Sequence, residues 1–262
     1  MKKWFTSGVP TPEKKIEPKH TMTTGSAATN QSFQTMSPAM QVPGTTSCNI
    51  CQNSAFKATP SGRLSTNNLP PVCTNCGSLE RHRAFRSIFN QFRTPEFKTM
   101  SCLMLGKDPS VAGGWFKSMR YSDHGAETPL DTKNIGLLDG EYDVVIGNRV
   151  FEQVQDYEDA LKELIGTIPR RGFAFLSFAN PHYRKITSDW GYPKADMNKA
   201  YRSFGSDIEA KLPKILPGVG ILRVIAKDPV TQTEDRAYIF SQNYELLDQI
   251  TDKGVTCRFL RS

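Results

Sequence analysis

The chain has 262 residues, a net charge of +7 and a pI near 9.1, which permits a polyanionic partner without demanding one. Its 38% hydrophobic content and mean hydropathy of −0.45 suit one α/β domain plus something smaller, and exclude a chain that is core throughout. No apolar run approaches the roughly 20 residues of a membrane span.

Residues 1–46 are rich in Thr, Ser, Pro, Gln and Met, with Val9, Ile16 and Val42 as their only branched aliphatics. Such a segment cannot bury enough apolar surface to offset chain entropy, which predicts a disordered tail. Lys2 and Lys3 precede no apolar h-region, and residues 1–60 contain no Arg, so neither export nor mitochondrial import is expected and the location is read as cytoplasmic.

Residues 47–78 carry the sharpest motif. Cys48-Asn-Ile-Cys51 and Cys73-Thr-Asn-Cys76 are two CxxC knuckles with 21 residues between them, the pattern of one tetrahedral zinc held by four thiolates. A disulfide pair is disfavoured without an export signal, and a redox pair because neither knuckle opens a helix after a strand. The zinc would fold a segment too small for its own core. Cys102 and Cys257 are left over, Cys102 as a small apolar strand residue.

A linking helix is expected over residues 79–97, with Ser78 as N-cap and Phe85, Ile88, Phe89 and Phe92 as its apolar stripe. His82, Arg83 and Arg86 fall on the adjacent face; four thiolates already complete the metal site, so this basic face is expected at a surface or a ligand. Basic residues predominate from Arg81 to Arg120, consistent with a solvated surface or with a nucleic-acid or other anionic partner.

Residues 98–242 read as a mostly parallel α/β domain. TMSCLMLG (99–106) is the first strand, opening through KDPSVAGG into an expected helix start at WFKSM, and a second strand ends near Ser122 and Asp123. An acid at that place is positioned for ribose hydroxyls, or is a plain turn residue. DVVIG (143–147) and FAFLSF (173–178) are short apolar strands joined by a helix with Tyr157, Ala160, Leu161, Leu164, Ile165 and Ile168 at helical spacing. Ligands of such sheets sit beyond the carboxyl ends of the strands, so Gly147, Asn148, Arg149 and Glu152, and the 179–183 segment, are the places to look. Residues 180–205 are expected as a loop insertion over the sheet, 203–216 as a helix shortened or kinked by Pro213, and 221–228 with 236–242 as a closing antiparallel hairpin. A helix in the 243–262 extension has no evident purpose.

The order of these segments, with CGSLERHR (76–83) and DVVIGNRVFEQV (143–154), resembles the class I S-adenosylmethionine-dependent methyltransferases that carry an N-terminal CxxC ribbon. The resemblance covers about 48–242. It implies a Rossmann-like, mostly parallel sheet with a terminal antiparallel hairpin, preceded by a small zinc ribbon, and S-adenosylmethionine and zinc as cofactors. It also implies that Leu105, Gly106, Lys107 and Asp108 line the methionine part of the cofactor, that Asp123 holds the ribose, and that Asp131 approaches the adenine amine. Asn148 and Arg149 would face the methyl group, with Gly147 beside them. The chain departs from the family in having Gln153 where a His is usual, and Gly106-Lys107-Asp108-Pro109 where an acid and Gly-x-Gly are common.

Methyl transfer from a sulfonium is an in-line displacement governed by alignment, with a base needed only if the acceptor must lose a proton. Glu152 and His182 are the candidate bases; Glu152 also suits a helix N-terminus. Asn180-Pro181-His182-Tyr183 follows the fifth strand, the wrong one for an amine methylase motif, and reads as a strand-end turn. The sequence therefore supports a methyltransferase of unidentified acceptor and oligomeric state. The alternative is a non-catalytic zinc-ribbon protein that binds nucleic acid or protein on a degenerate methyltransferase scaffold.

Overall fold

A computed structural model describes residues 40–41, 46–122, 142–178 and 183–261. The remainder of the tail, Asp123, Asp131, Asn180, Pro181 and His182 lie outside the described residues.

The strands are β1 (Met40–Gln41), β2 (Ala55–Lys57), β3 (Val72–Cys73), β4 (Ser101–Leu105), β5 (Ser118–Ser122), β6 (Val144–Asn148), β7 (Phe173–Ser177), β8 (Ser188–Lys194), β9 (Ala200–Ser203), β10 (Gly220–Lys227), β11 (Glu234–Ser241) and β12 (Cys257–Phe259). The α-helices are α1 (Glu80–Phe92), α2 (Tyr157–Thr167), α3 (Ile208–Ile215) and α4 (Tyr244–Asp252). Seven strands form the main sheet in the order β12-β10-β11-β7-β6-β4-β5. The β5-β4-β6-β7 run is parallel, while β11 is antiparallel to both β7 and β10. This is the expected α/β class: a mostly parallel sheet with a terminal antiparallel hairpin.

The parallel strands β4, β6 and β7 are apolar at nearly every position because both faces are covered. One face packs on Tyr157, Ala160, Leu161, Leu164 and Ile165 of α2 and on Ile208 and Leu212 of α3. The other receives Phe85, Ile88, Phe89 and Phe92 of α1 with Leu247 and Ile250 of α4. Phe89 meets Phe175 at 4.6 Å between ring centroids and Phe92 meets Phe173 at 5.9 Å, so α1 is held by aromatic contacts to β7.

Several sequence expectations change. WFKSM does not start a helix: Gly113–Trp115 is a single 3₁₀ turn and β5 begins at Ser118. Phe116 there stacks on Phe97 at 5.3 Å, and Trp115 packs beside Phe89 under the guanidinium groups of Arg86 and Arg93. With α1 already covering that face, the β4–β5 connection has no apolar surface left for a helix to bury. The described part of the expected 180–205 loop is not simply a loop, since β8 and β9 form an antiparallel hairpin. Buried Arg202 anchors it, donating to the carbonyls of Phe151, Val154 and Gln155 and pairing with Asp189 at 2.7 Å. Residues 243–261 are built into the sheet, because α4 covers one face and β12 pairs with β10. Within the expected tail, residues 40–41 pair with β2, in register Met40↔Phe56 and Gln41↔Ala55. The pairing satisfies backbone groups that the apolar-poor composition did not reveal.

One turn fixes the crossover. At Gly172 an added Cβ would lie 2.1 Å from the Asp143 carbonyl oxygen, which already accepts from the Phe173 N–H at 2.9 Å and so cannot withdraw. Gly172→Ala is expected to cost about 1–3 kcal/mol by overpacking. Gly166→Ala, in α2 with nothing near its Cβ, should instead stabilise by about 0.5–1 kcal/mol. Urea unfolding of the two variants checks the contrast; equal midpoints would contradict it.

Candidate functional site

The parallel strands place their carboxyl ends along one edge, and the chain's direction across the sheet reverses between β4 and β6, the switch point at which open α/β sheets form their ligand crevice. Gly106 leaves β4 in the left-handed region (φ 83°), where glycine avoids the Cβ penalty, and turns the chain toward Asp108. Asp108 crosses the crevice. Its Oδ1 accepts from the Ser110 N–H at 2.7 Å, and its Oδ2 accepts from Asn148 Nδ2 at 2.7 Å. Asn148 Oδ1 accepts in turn from Ser177 Oγ at 2.6 Å. A polar chain, Asp108–Asn148–Ser177, thus joins the carboxyl ends of β4, β6 and β7.

Arg149 follows in the left-handed region (φ 57°), uncommon for a side-chain-bearing residue. Its N–H donates to the Ser177 carbonyl at 3.0 Å, and its guanidinium lies 3.4 Å from Asp235 at the start of β11. Lys107 is exposed beside the crevice. Leu105 is buried in the apolar core, and Gly147 is sandwiched there, since a Cβ on it would meet Leu176 at 3.0 Å and Leu105 at 3.1 Å. Glu152 is buried on the 3₁₀ turn Phe151–Gln153. The crevice side chains brought together from the sequence set are therefore Asp108, Asn148 and Arg149. Ser177 and Asp235 were not singled out by sequence, although a lone polar residue ending an apolar strand was the available signal for Ser177.

The basic face of α1 is not a free surface. Arg83 is fully buried, in a bidentate pair with Asp228 (2.7 and 2.8 Å), and donates to the Ser78 carbonyl at 2.8 Å. Arg86 stacks on Trp115 at 4.4 Å and donates to the Pro109 carbonyl at 2.9 Å, bracing the crevice loop. Ser78 is not the N-cap. Leu79 holds that position, and its N–H is satisfied by His82 Nδ1 at 3.1 Å, three residues on. Burial, joined by the neighbouring guanidinium groups of Arg81, Arg149 and Arg83 and opposed by Asp108, pushes the His82 imidazole down to about 4, so it serves this contact as a neutral acceptor.

Cys48, Cys51, Cys73 and Cys76 converge, with their sulfur atoms all within 4.8 Å of one another. Cys48 and Cys76 lie 3.8 Å apart and Cys51 and Cys73 3.5 Å. Four sulfurs around a zinc at about 2.3 Å are separated by about 3.8 Å, so the donor set fits the ion. Ser78 Oγ lies 3.4 Å from Cys48 Sγ and 3.2 Å from Cys76 Sγ, and Asn53 Nδ2 donates to Cys73 Sγ at 3.6 Å, contacts of the kind that orient metal ligands. Cys102 is separate, buried in β4, where desolvation raises its thiol far above the usual range.

A cavity of about 430 Å³ opens beside Arg149, between the ribbon, the start of α1 and the start of β11. A larger one, of about 780 Å³, lies between Pro213, Gly220 and Leu260 at the opposite end of the sheet, away from the crevice. No described helix is long and apolar enough to cross a membrane.

No protein-family model matches the chain, and no curated protein matches it. Among solved structures it is similar to 1,6-didemethyltoxoflavin-N1-methyltransferase of Burkholderia thailandensis, with bound 1,6-didemethyltoxoflavin and S-adenosylhomocysteine, at 12% identity and a TM-score of 0.40, covering 61% of this chain and 78% of that one. It is also similar to human N-acetylserotonin methyltransferase in complex with S-adenosylmethionine, at 11% identity and a TM-score of 0.34, covering 62% and 52%. A third is the CcbJ methyltransferase of Streptomyces caelestis, at 9% identity and a TM-score of 0.34, covering 65% and 93%. These likenesses are distant.

Proposed function

We propose that the chain is an S-adenosylmethionine-dependent methyltransferase that binds its cofactor across the β4–β6 crevice and methylates an acceptor arriving over Asn148 and Arg149. The observation that carries this is the sheet itself. A parallel β5-β4-β6-β7 run followed by a hairpin whose second strand inserts antiparallel beside β7 is the arrangement implied by the sequence resemblance, and its crevice is lined by Asp108 and Asn148.

The crevice suits a cationic amino-acid group. Asp108 spends one lone pair on Ser110 and one on Asn148, and a carboxylate has about four acceptor sites, so about two remain for an ammonium. In this reading Asp108 takes the place of the acid usual in the family, Gly106 and Lys107 form the loop beside it, and Asp123 and Asp131 hold ribose and adenine. The bound cofactor supplies a methyl group activated on a sulfonium. Asn148, locked by Asp108 and Ser177, and Arg149, locked by its backbone bond to Ser177, orient the acceptor for in-line approach. Glu152, the candidate base, is buried on the turn beyond Arg149. The four cysteines hold a structural zinc.

Calorimetry of the full, zinc-loaded chain with S-adenosylmethionine and S-adenosylhomocysteine tests the reading. Both are expected to bind, and Asp108→Asn to weaken each by about tenfold or more through loss of a charge-assisted hydrogen bond. Absence of heat from the folded wild-type protein would sink it.

A further inference from the structure

The 430 Å³ cavity beside the crevice has a chemistry that the cofactor reading leaves unused. Three guanidinium groups line it: Arg63 from the ribbon, Arg81 from the first turn of α1, and Arg149 from the turn after β6. Two carboxylates answer them. Glu80 takes Arg63 in a fork of 2.7 and 3.2 Å, and Asp235 lies 3.4 Å from Arg149. Arg81 has no ion pair with a described residue, and its Nε is buried with no hydrogen-bond partner among them. Burial, then the nearby Arg149 cation, pushes its guanidinium down to about 10. Asp108, Asp235 and Glu80 offset this only in part, so a cation held partly out of water beside a second cation gains from a further anion. The ribbon wall adds the hydroxyl groups of Thr59 and Ser61, which lie 3.0 Å apart.

From these observations we propose that this cavity is a phosphate site, taking the phosphate of a ligand whose remainder extends toward Asn148. Guanidinium N–H groups, Arg81 foremost, with hydroxyl donors match the several oxygens of a phosphate, and the volume matches a small-molecule site. The assignment of that ligand as the methyl acceptor rests on the methyltransferase reading; the phosphate site does not. It would give the ribbon a part in ligand capture, since Thr59, Ser61 and Arg63 belong to it.

The test uses the full, zinc-loaded chain without S-adenosylmethionine, so its outcome is independent of cofactor binding. Inorganic phosphate is titrated by calorimetry at constant ionic strength set with chloride. Saturable binding is expected, weakened about tenfold in Arg81→Gln, as loss of a hydrogen bond to a charged group implies, and unchanged in Lys117→Gln. Ser61→Asp, a change at an exposed position that places a like charge at the cavity wall, should abolish it even if Arg81→Gln folds poorly. Ribose 5-phosphate and a 5′-phosphorylated oligonucleotide, each against its dephosphorylated form, separate a small ester from a nucleic-acid end, and the tighter phosphate-dependent binder names the source. No saturable binding of phosphate by the folded wild type, or equal binding in Arg81→Gln and Ser61→Asp, would overturn the proposal.

Discussion

The purified chain is expected to carry one zinc ion per molecule, and chelation to unfold the 46–79 ribbon while the centre of the sheet survives. The two outcomes differ because the two regions are held by different forces. The ribbon's core consists of little more than Phe56, Cys48, Cys73 and Val230, with Ile50, Cys51 and Cys76 packed against it. That area is far too small to offset the ordering of some thirty residues at about 1–2 kcal/mol each. Structural zinc in comparable small units supplies about 10–16 kcal/mol of apparent binding free energy. By contrast, the β6–α2–β7 core draws on none of the ribbon's residues. Cys73→Ser should behave as the chelated wild type does. Metal content by mass spectrometry, followed by hydrogen exchange with and without chelator, makes the measurement. Protection should vanish over 46–79, fall over the first turn of α1, and persist over residues 144–148 and 173–177. Metal-free protein with an unchanged ribbon exchange pattern would show that the thiols pack without an ion.

The sheet was legible because its strands obey a rule that sequence exposes directly. The centres of DVVIG and FAFLSF are apolar because both faces are covered, and the helix between them repeats its apolar residues every three to four positions. The connection from β4 to β5 was not legible. Trp115 and Phe116 look like the start of an amphipathic helix, but whether a helix can form there depends on which element already covers that face, and α1 arrives from earlier in the chain. The β8–β9 hairpin escaped for a related reason. Its anchor, Arg202, bonds carbonyls about fifty residues earlier, and no local pattern reports such a partner.

The candidate site divides in the same way. The cysteine spacing was read correctly as four converging sulfurs because ligand geometry is encoded in the spacing itself. The Asp108–Asn148–Ser177 chain needed three strand ends brought side by side, and only topology supplies that. Charge was the least readable property. Arg81, Arg83 and Arg86 are near neighbours on one helix, yet one lines a cavity, one is fully buried against a carboxylate, and one braces a loop.

The buried Arg83–Asp228 pair joins α1 to the turn between β10 and β11, and its disruption is expected to be costly and asymmetric. Asp228 closes the turn between β10 and β11, accepting from the N–H of Val230 at 3.2 Å, the N–H of Thr231 at 3.0 Å and the Thr231 hydroxyl at 2.7 Å, besides the Arg83 fork. Neither side chain of the pair is exposed to solvent. Removing the acid strands a guanidinium whose remaining partners are the carbonyl and hydroxyl of Ser78 and the face of Phe56 at 5.1 Å. Removing the base leaves a carboxylate that keeps three donors from its own turn. Breaking one side of a buried pair costs about 3–5 kcal/mol. Asp228→Ala should therefore sit at or above the top of that range and Arg83→Met nearer the bottom. The double variant should cost clearly less than the sum, since the uncompensated charge is then gone. Because Arg83 sits between the ribbon and β10–β11, the loss should also appear as weaker zinc retention in Asp228→Ala. Urea unfolding of the three variants in excess zinc, with a separate chelator-competition measurement, decides the matter. Single variants each costing under about 1 kcal/mol, or a strictly additive double, would mean that water or another group takes the place of the lost partner, against the buried geometry.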